Sequence, residues 1–226
     1  MDWSNYKFHC SSLGALLTEP RSGPGLSETC KAHLLECWIK ETYGREKDDT
    51  NKYVEKGNMV EEDSITLYSR VSRKLFNKNS ETFENDFIVG TPDIITKDSV
   101  IDIKSSWTIY TFFTNIHKPL NKDYVWQING YMALLGLNAG WLVYCLVNTP
   151  EVIVEQEKSR LRYKMGIIDP EANETYVQAA ANIDLNSNFD DIPIDKRFMG
   201  FKVPEMDMKK AYKRVKECRE FLTALS

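Results

Sequence analysis

The stretch from Gly90 to Trp107, GTPDIITKDSVIDIKSSW, constrains this chain more than any other. Val100-Ile101-Asp102-Ile103 alternates as a half-buried strand does, and Asp98-Ser99 before it supplies a turn. Asp93, which follows Pro92, then stands at the end of one strand and Asp102 on the next, the two joined as a hairpin. Asp102 and Lys104 are two residues apart, so on a strand they project from the same face. Two carboxylates and one amine thus converge on a small volume. That is the equipment for holding a hard divalent cation and orienting a water beside it. A lone Asp-x-Lys is more often a solvated face with a weak surface ion pair. Here Gly57 and Glu61 upstream and Gln127 and Tyr131 downstream, each pair four residues apart, give the functional reading its weight.

At 226 residues the chain is long enough for a large core. We expect a single domain over 1–226, with a core at about 57–147, N-terminal helices within 11–43 and a C-terminal helical extension over 150–226. The formal net charge is −4, so no global basic field advertises a nucleic-acid coat, and any affinity for phosphate has to come from local patches. An acidic chain can still act on DNA if its own carboxylates are neutralised by bound cations. The five cysteines (Cys10, Cys30, Cys37, Cys145, Cys218) are scattered, odd in number and free of any Cys-x-x-Cys. Reduced thiols are expected, with no disulfide framework, zinc site or iron–sulfur cluster. His9, His33 and His117 have no metal-ligand spacing. The opening MDWSNYKFHC lacks a charged-then-apolar signal and no apolar run reaches membrane length, so an intracellular, cytoplasmic protein is expected.

Along the chain, Ser11 is a candidate N-cap for a short helix carrying Leu13, Leu16 and Leu17, and Pro20 to Gly25 ends it as a loop. Ser27 caps a helix to about Tyr43, with Leu34, Leu35, Trp38 and Ile39 inward. Arg45 to Lys56 carries mixed charge and reads as an exposed loop or helix lead-in. A helix is expected from about Gly57 to Phe76 with Val60, Leu67, Val71 and Leu75 as its stripe, then a strand over Phe83–Val89. Trp107–Asn115 reads as helical, and Asp123–Leu137 as a helix that sets Gln127 and Tyr131 on one face. Gly140–Val147 reads as a buried strand. Helices at about 150–163 and 173–186, a strand at 197–203 and a terminal helix at 205–225 complete an α/β fold, a small mixed central β-sheet flanked by helices.

In order, Gly57 and Glu61, Pro92-Asp93, Asp102-Ile103-Lys104, and Gln127 with Tyr131 resemble the PD-(D/E)XK nuclease superfamily. More closely, the pattern is similar to that of the lambda-type, or YqaJ-type, viral recombinase exonucleases. The likeness covers roughly Ser11 to Pro150. At its start, Ser11 and Pro20-Arg21-Ser22-Gly23 match the family's region for a DNA 5′-phosphate. The resemblance implies a restriction-endonuclease-like core and a magnesium-dependent exonuclease, manganese being a substitute. It would digest one strand of linear duplex DNA from the 5′ end and leave 3′ single strands for recombination. Asp93 and Asp102 would be metal ligands, helped by the Ile103 carbonyl and, at a second position, by Glu61. Lys104 would orient or deprotonate the attacking water, and Gln127 would position that water or the scissile strand. Ser11, Arg21 and Tyr131 would contact DNA. A homotrimer, a single-strand annealing protein as partner, and a phage or prophage origin in a bacterial cytoplasm are implied with it. Two departures stand out. The family's arginine upstream of the serine falls near Ser4, where Lys7 is the nearby cation, and the second acid is Asp102 where the lambda-type enzyme has Glu.

From physical chemistry, phosphodiester hydrolysis needs positive charge against its transition state, and oxygen ligands suit magnesium. Burial beside a metal would favour the neutral form of Lys104, as a base requires. Two rivals keep the same core: a structure-specific DNA or RNA endonuclease, and a non-catalytic DNA-binding relative.

Overall fold

The computed structural model describes residues 2–47 and 52–225. In chain order the elements are β1 (Phe8–His9), a 3-10 turn (Cys10–Ser12), α1 (Leu13–Leu16), α2 (Glu28–Tyr43), α3 (Lys52–Met59) and α4 (Glu61–Ser72). They continue with β2 (Phe83–Glu84), β3 (Ile88–Gly90), β4 (Ile94–Ile95), β5 (Val100–Ser105), α5 (Ile109–Ile116), α6 (Lys122–Leu135) and β6 (Gly140–Cys145). The last are α7 (Glu151–Met165), α8 (Glu174–Leu185), a 3-10 turn (Ile194–Lys196), β7 (Phe198–Lys202) and α9 (Met208–Leu225). The class is α/β, as expected, with the strands divided between two small mixed sheets. One sheet has the order β1-β3-β2, the other β4-β5-β6-β7. In the second, β5 runs parallel to β6 while β4 and β7 pair antiparallel at the edges.

The central strand β5 has two faces, and the helices choose between them. Ile101 and Ile103 pack with Val60, Ile65 and Leu67 on the α4 side. Val100, on the opposite face, joins Leu142, Tyr144 and the α6 residues Val125, Ile128 and Met132. Asp102 and Lys104 share that second face by period, so they look toward α6. Gly140 lets α6 lie close on β6: a Cβ there would come within 2.4 Å of Ile128 and 2.8 Å of Met132. The main core runs from Trp3 and Phe8 to Ala211, Val215 and Leu222 of α9. The segment after Pro150 is therefore more than an appendage, since β7 closes the sheet and α9 completes the core. Helix α8 buries no residue among those described, and α7 buries only Ile153 and Val154.

Several expectations need correction. The helix expected over 57–76 is two helices, broken at Val60, and α4 ends where Arg73 adopts φ 53. Gly57 therefore lies inside α3 and Glu61 opens α4. Leu75 is 87% exposed and belongs to no helical stripe. The strand expected over Phe83–Val89 is the pair β2 and β3, because the Asn85 carboxamide accepts from the amides of Phe87 and Ile88 and turns the chain between them. Ser11 caps no helix: Ser12 is at the N-cap of α1, without a side-chain bond. Leu34 is buried as expected, but Leu35 faces solvent, and α2 also buries Cys30. Ser27 does cap α2, accepting from the Cys30 amide at 3.0 Å. Part of the lead-in expected over Arg45–Lys56 lies outside the described residues; its end is the start of α3.

Candidate active site

The hairpin at the centre of the chain forms as expected. Ile94 pairs with Ile101 and Ile95 with Val100, and the turn is closed by Thr96, whose amide and hydroxyl both donate to the Ser99 carbonyl. This pairing sets Asp93, immediately before β4, beside β5. Its Oδ2 accepts from the Ile103 amide at 2.6 Å. Asp102 is wholly buried, and among the described residues no hydrogen bond reaches its Oδ1. The Lys104 ammonium stands 2.7 Å from Asp102 Oδ2 as an ion pair.

These groups perturb one another strongly. Burial, and then the charge of Asp102, pushes the Asp93 carboxyl up to about 7. Burial also raises Asp102 above the usual carboxylate range. Burial alone would lower the Lys104 amine, but the two carboxylates outweigh it and hold the lysine above its ordinary value. With no cation on them, Asp93 and Asp102 favour the ammonium form of Lys104; the neutral form is the expectation beside a bound metal, which would offset that negative charge.

Asp93, Ile103, Lys104 and Glu61 line one cleft of about 440 Å³, together with Tyr53, Gly57, Asn115 and Tyr144. Glu61 stands at the opening of α4, where Lys78 donates to its Oε2 at 2.8 Å. Among the described residues no three His, Cys, Asp or Glu side chains gather as a metal-holding cluster. The carboxylates that stand together here are those of Asp93 and Asp102. Magnesium fits such a set, since it is commonly held by one or two carboxylates and keeps much of its water. The buried Oδ1 of Asp102, which receives no hydrogen bond while Oδ2 pairs with the Lys104 ammonium, is the observation in favour of this fit, because a buried carboxylate oxygen without a donor is costly.

Gln127 and Tyr131 are brought together as their spacing predicts, with Gln127 Nε2 donating to Tyr131 Oη at 2.8 Å. Tyr131 is buried and near enough to Asp102 and Asp93 for their charges to raise its hydroxyl pKa further, after burial. Its ring lies where a Cβ on Gly90 would stand, 2.6 Å away, and Cys10 fills the other side of that space. Ser11 follows Cys10 and is exposed, while Arg21 is exposed in the loop after α1. Neither lines the cleft.

Sequence reasoning missed three neighbours. The Lys104 ammonium sits 5.1 Å from the centroid of Tyr124, over its ring. Tyr124, Gln127 and Tyr131 fall at i, i+3 and i+7 on α6, a spacing that could have drawn attention to it. Lys78, the partner of Glu61, gave no signal. Nor did Lys56, which is buried at 1% exposure and donates to the Ser106 and Trp107 carbonyls at 3.0 and 3.1 Å.

With this geometry in place, solved structures give the comparison. A phage-related exonuclease from Haemophilus somnus 129PT aligns with a TM-score of 0.77 and 26% identity, over 98% of this chain and 95% of its own. The alkaline exonuclease LHK-Exo from Laribacter hongkongensis aligns with a TM-score of 0.64 and 14% identity, over 99% and 92%. No family model matches the chain, and no curated protein does. The fold is that of the PD-(D/E)XK exonucleases of the phage type, and the likeness extends over nearly the whole chain rather than stopping at Pro150. Exonuclease neighbours of this kind support a nuclease function. Among the described residues no helix is long and apolar enough to cross a membrane.

Proposed function

We propose that this chain is a magnesium-dependent deoxyribonuclease that digests one strand of linear duplex DNA from its 5′ end. The 3′ single strand it leaves would serve recombination by strand annealing. The observation that carries the reading is Asp102, wholly buried with its Oδ1 lacking a hydrogen bond among the described residues, beside Asp93 and Lys104, which line an open cleft. Asp93, Asp102 and the Ile103 carbonyl would hold the cation, with Glu61 reaching it through water. When bound, magnesium acidifies a water and offsets the charge that builds on the phosphate.

The chain's own residues supply the rest. Lys104 would orient or deprotonate the attacking water: bare carboxylates favour its ammonium form, and a cation on Asp93 and Asp102 would weaken that hold. Tyr124 steadies that ammonium from its ring face. Gln127, fixed by Tyr131, positions the water or the scissile strand. Arg21 is an exposed guanidinium in a loop and Ser11 an exposed hydroxyl, and both are assigned to the terminal 5′-phosphate, which suits the paired donors of an arginine. A homotrimer and a single-strand annealing partner complete the reading by resemblance.

The test uses linear duplex DNA with 5′-phosphate ends, the same duplex with 5′-hydroxyl ends, and closed circular duplex, each with magnesium or with chelator. Digestion of the linear forms alone, fastest from 5′-phosphate and absent in chelator, is the expected result. Cutting of the circle would replace the exonuclease with a structure-specific endonuclease on the same core. Binding without any cleavage would make the chain a non-catalytic relative.

A further inference from the structure

The loop that follows α4 delivers one cation to the acids of the cleft. The helix stops where Arg73 takes φ 53, and the Lys74 amide turns back to the Ser69 carbonyl at 3.1 Å. Phe76 is then held from two sides: its amide donates to the Ser69 hydroxyl at 3.2 Å, and its ring stacks on Tyr68 at 4.9 Å and 8°. Further on, Asn79 donates from its amide to the Asp93 carbonyl at 2.7 Å and from its side chain to the Pro92 carbonyl at 2.9 Å. Lys78 stands between these anchors, and its ammonium donates to Glu61 Oε2 at 2.8 Å. A lysine on an exposed loop ordinarily loses entropy by keeping to one acid. Here both flanks are fastened, one to α4 and the other to the segment that carries Asp93, so the fold chooses the partner.

The partner chosen is the acid that matters to the site. Glu61, Glu62 and Asp63 open α4, where a helix N-terminus favours negative charge. Of the three, Glu61 alone lines the cleft with Asp93, Ile103 and Lys104. Behind burial, its charge adds to the upward push on the carboxyls of both Asp93 and Asp102. A divalent cation at the aspartates therefore gains from Glu61 only as far as Lys78 leaves that carboxylate unneutralised, and the ammonium also repels it. The pair is open to water, with side-chain exposures of 41% for Lys78 and 25% for Glu61. An ion pair of that kind is weak enough for a cation to displace the lysine.

We propose that Lys78 sets the affinity of the cleft for its divalent cation by competing with that cation for Glu61, an inference that rests on the metal-dependent reading above. The test is calorimetry of magnesium and of calcium with the DNA-free protein at fixed ionic strength. It compares wild type, Lys78→Met, Lys78→Arg, Glu61→Gln and the double variant Glu61→Gln/Lys78→Met. Lys78→Met should bind both cations about fivefold more tightly, the upper range for an exposed ion pair. Lys78→Arg keeps the charge and should stay within about twofold of wild type. Glu61→Gln should bind more weakly, and in that background Lys78→Met should change affinity by less than about twofold, because the two residues act as one unit. In chelator Lys78→Met should melt within about 4 °C of wild type. Weaker or unchanged binding by Lys78→Met, the same tightening without Glu61, or Lys78→Arg behaving as Lys78→Met would each overturn the proposal. So would a larger loss of melting temperature, which would make the pair a structural one. No cation binding by wild type is the failure of the metal-dependent reading, and the proposal falls with it. Binding by wild type that Lys78→Met does not tighten is the failure of the competition alone.

Discussion

Two lysines, one half-buried on β5 and one buried beside it, are held in opposite ways. Lys104, near its end, stands among Asp93 and Asp102 and is kept an ammonium by them. Lys56, from α3, reaches the carbonyls of Ser106 and Trp107 just beyond the strand and has no carboxylate partner among the described residues. Burial alone pushes its amine down to about 7. The rings of Trp107 and Phe189 cover it. The first lysine is surrounded by groups that are costly to bury and remain short of partners. The second is surrounded by carbonyls that need donors, and it supplies them whether charged or neutral. A buried charge kept among unsatisfied neighbours points to chemistry, and a buried amine that satisfies its neighbours points to architecture.

The sharpest break in that comparison is Asp102→Asn. It should abolish cleavage of linear DNA while the variant still folds and binds DNA, because the amide keeps the shape and loses the charge a cation needs. Cleavage near the wild-type rate would return Asp102 to the architectural class. Lys104→Ala comes next. Turnover should fall by roughly 10²–10⁴, the usual range for a positioned acid–base or orienting group. Calcium or magnesium binding, followed by calorimetry, should persist. If cation affinity collapses along with turnover, Lys104 supports the ligands instead of the water.

Much of this contrast was legible in the sequence, and the part that was not has a physical reason. The period-two pattern of β5 and the turn before it fixed which side chains share a face, so Asp102 and Lys104 fell together as expected. Gln127 and Tyr131 followed from helical spacing. Propensity and pattern do not register a break that the chain makes to change direction, so the helices α3 and α4 read as one, with Leu75 on its stripe. The pairing of Glu61 with Lys78 crosses two elements and leaves no local trace. Lys56 was invisible for a related reason. A lysine in a charged stretch reads as solvated, and only the fold shows that its amine ends among carbonyls. The pull of Asp93 and Asp102 on Lys104 was not legible, because desolvation can be guessed from a pattern whereas the sum of neighbouring charges needs positions.

Lys56→Met should test the architectural side without touching the cleavage chemistry. Methionine fills similar space but leaves the Ser106 and Trp107 carbonyls without their donor, so a loss of about 1–3 kcal/mol in unfolding free energy is expected. The loss should depend on pH. The folded amine titrates at about 7 and the unfolded one at its ordinary, higher value. The unfolded chain therefore binds more protons between these values, and wild type gains stability as pH rises through that window. Methionine has no such gain, so the deficit should be larger at pH 8.5 than at pH 6 by on the order of 1 kcal/mol. A deficit that shrinks with pH would mean that Lys56 is held charged, as Lys104 is.

The smallest effect, and the one that places the two regions on a single axis, is expected of Asp93→Asn in chelator. The Asp93 carboxyl is raised to about 7 in the folded protein, by burial and then by Asp102, and has its ordinary lower value when unfolded. At low pH it is protonated in both states and costs nothing. As pH rises toward 7 the unfolded chain loses the proton first, so this residue withdraws stability until the folded pKa is passed. Asparagine has no proton to lose and can still accept from the Ile103 amide. The variant should therefore match or trail wild type at pH 5 and overtake it at pH 8, by at least about 1 kcal/mol, or roughly 2–4 °C in melting temperature. The two buried-group variants then shift in opposite directions as the pH is raised, Lys56→Met losing ground and Asp93→Asn gaining it. Magnesium should raise the melting temperature of wild type at pH 8 and leave Asp93→Asn nearly unmoved. If Asp93→Asn shows no pH dependence relative to wild type, the two carboxylates are not strained against each other and the comparison fails at its acidic side.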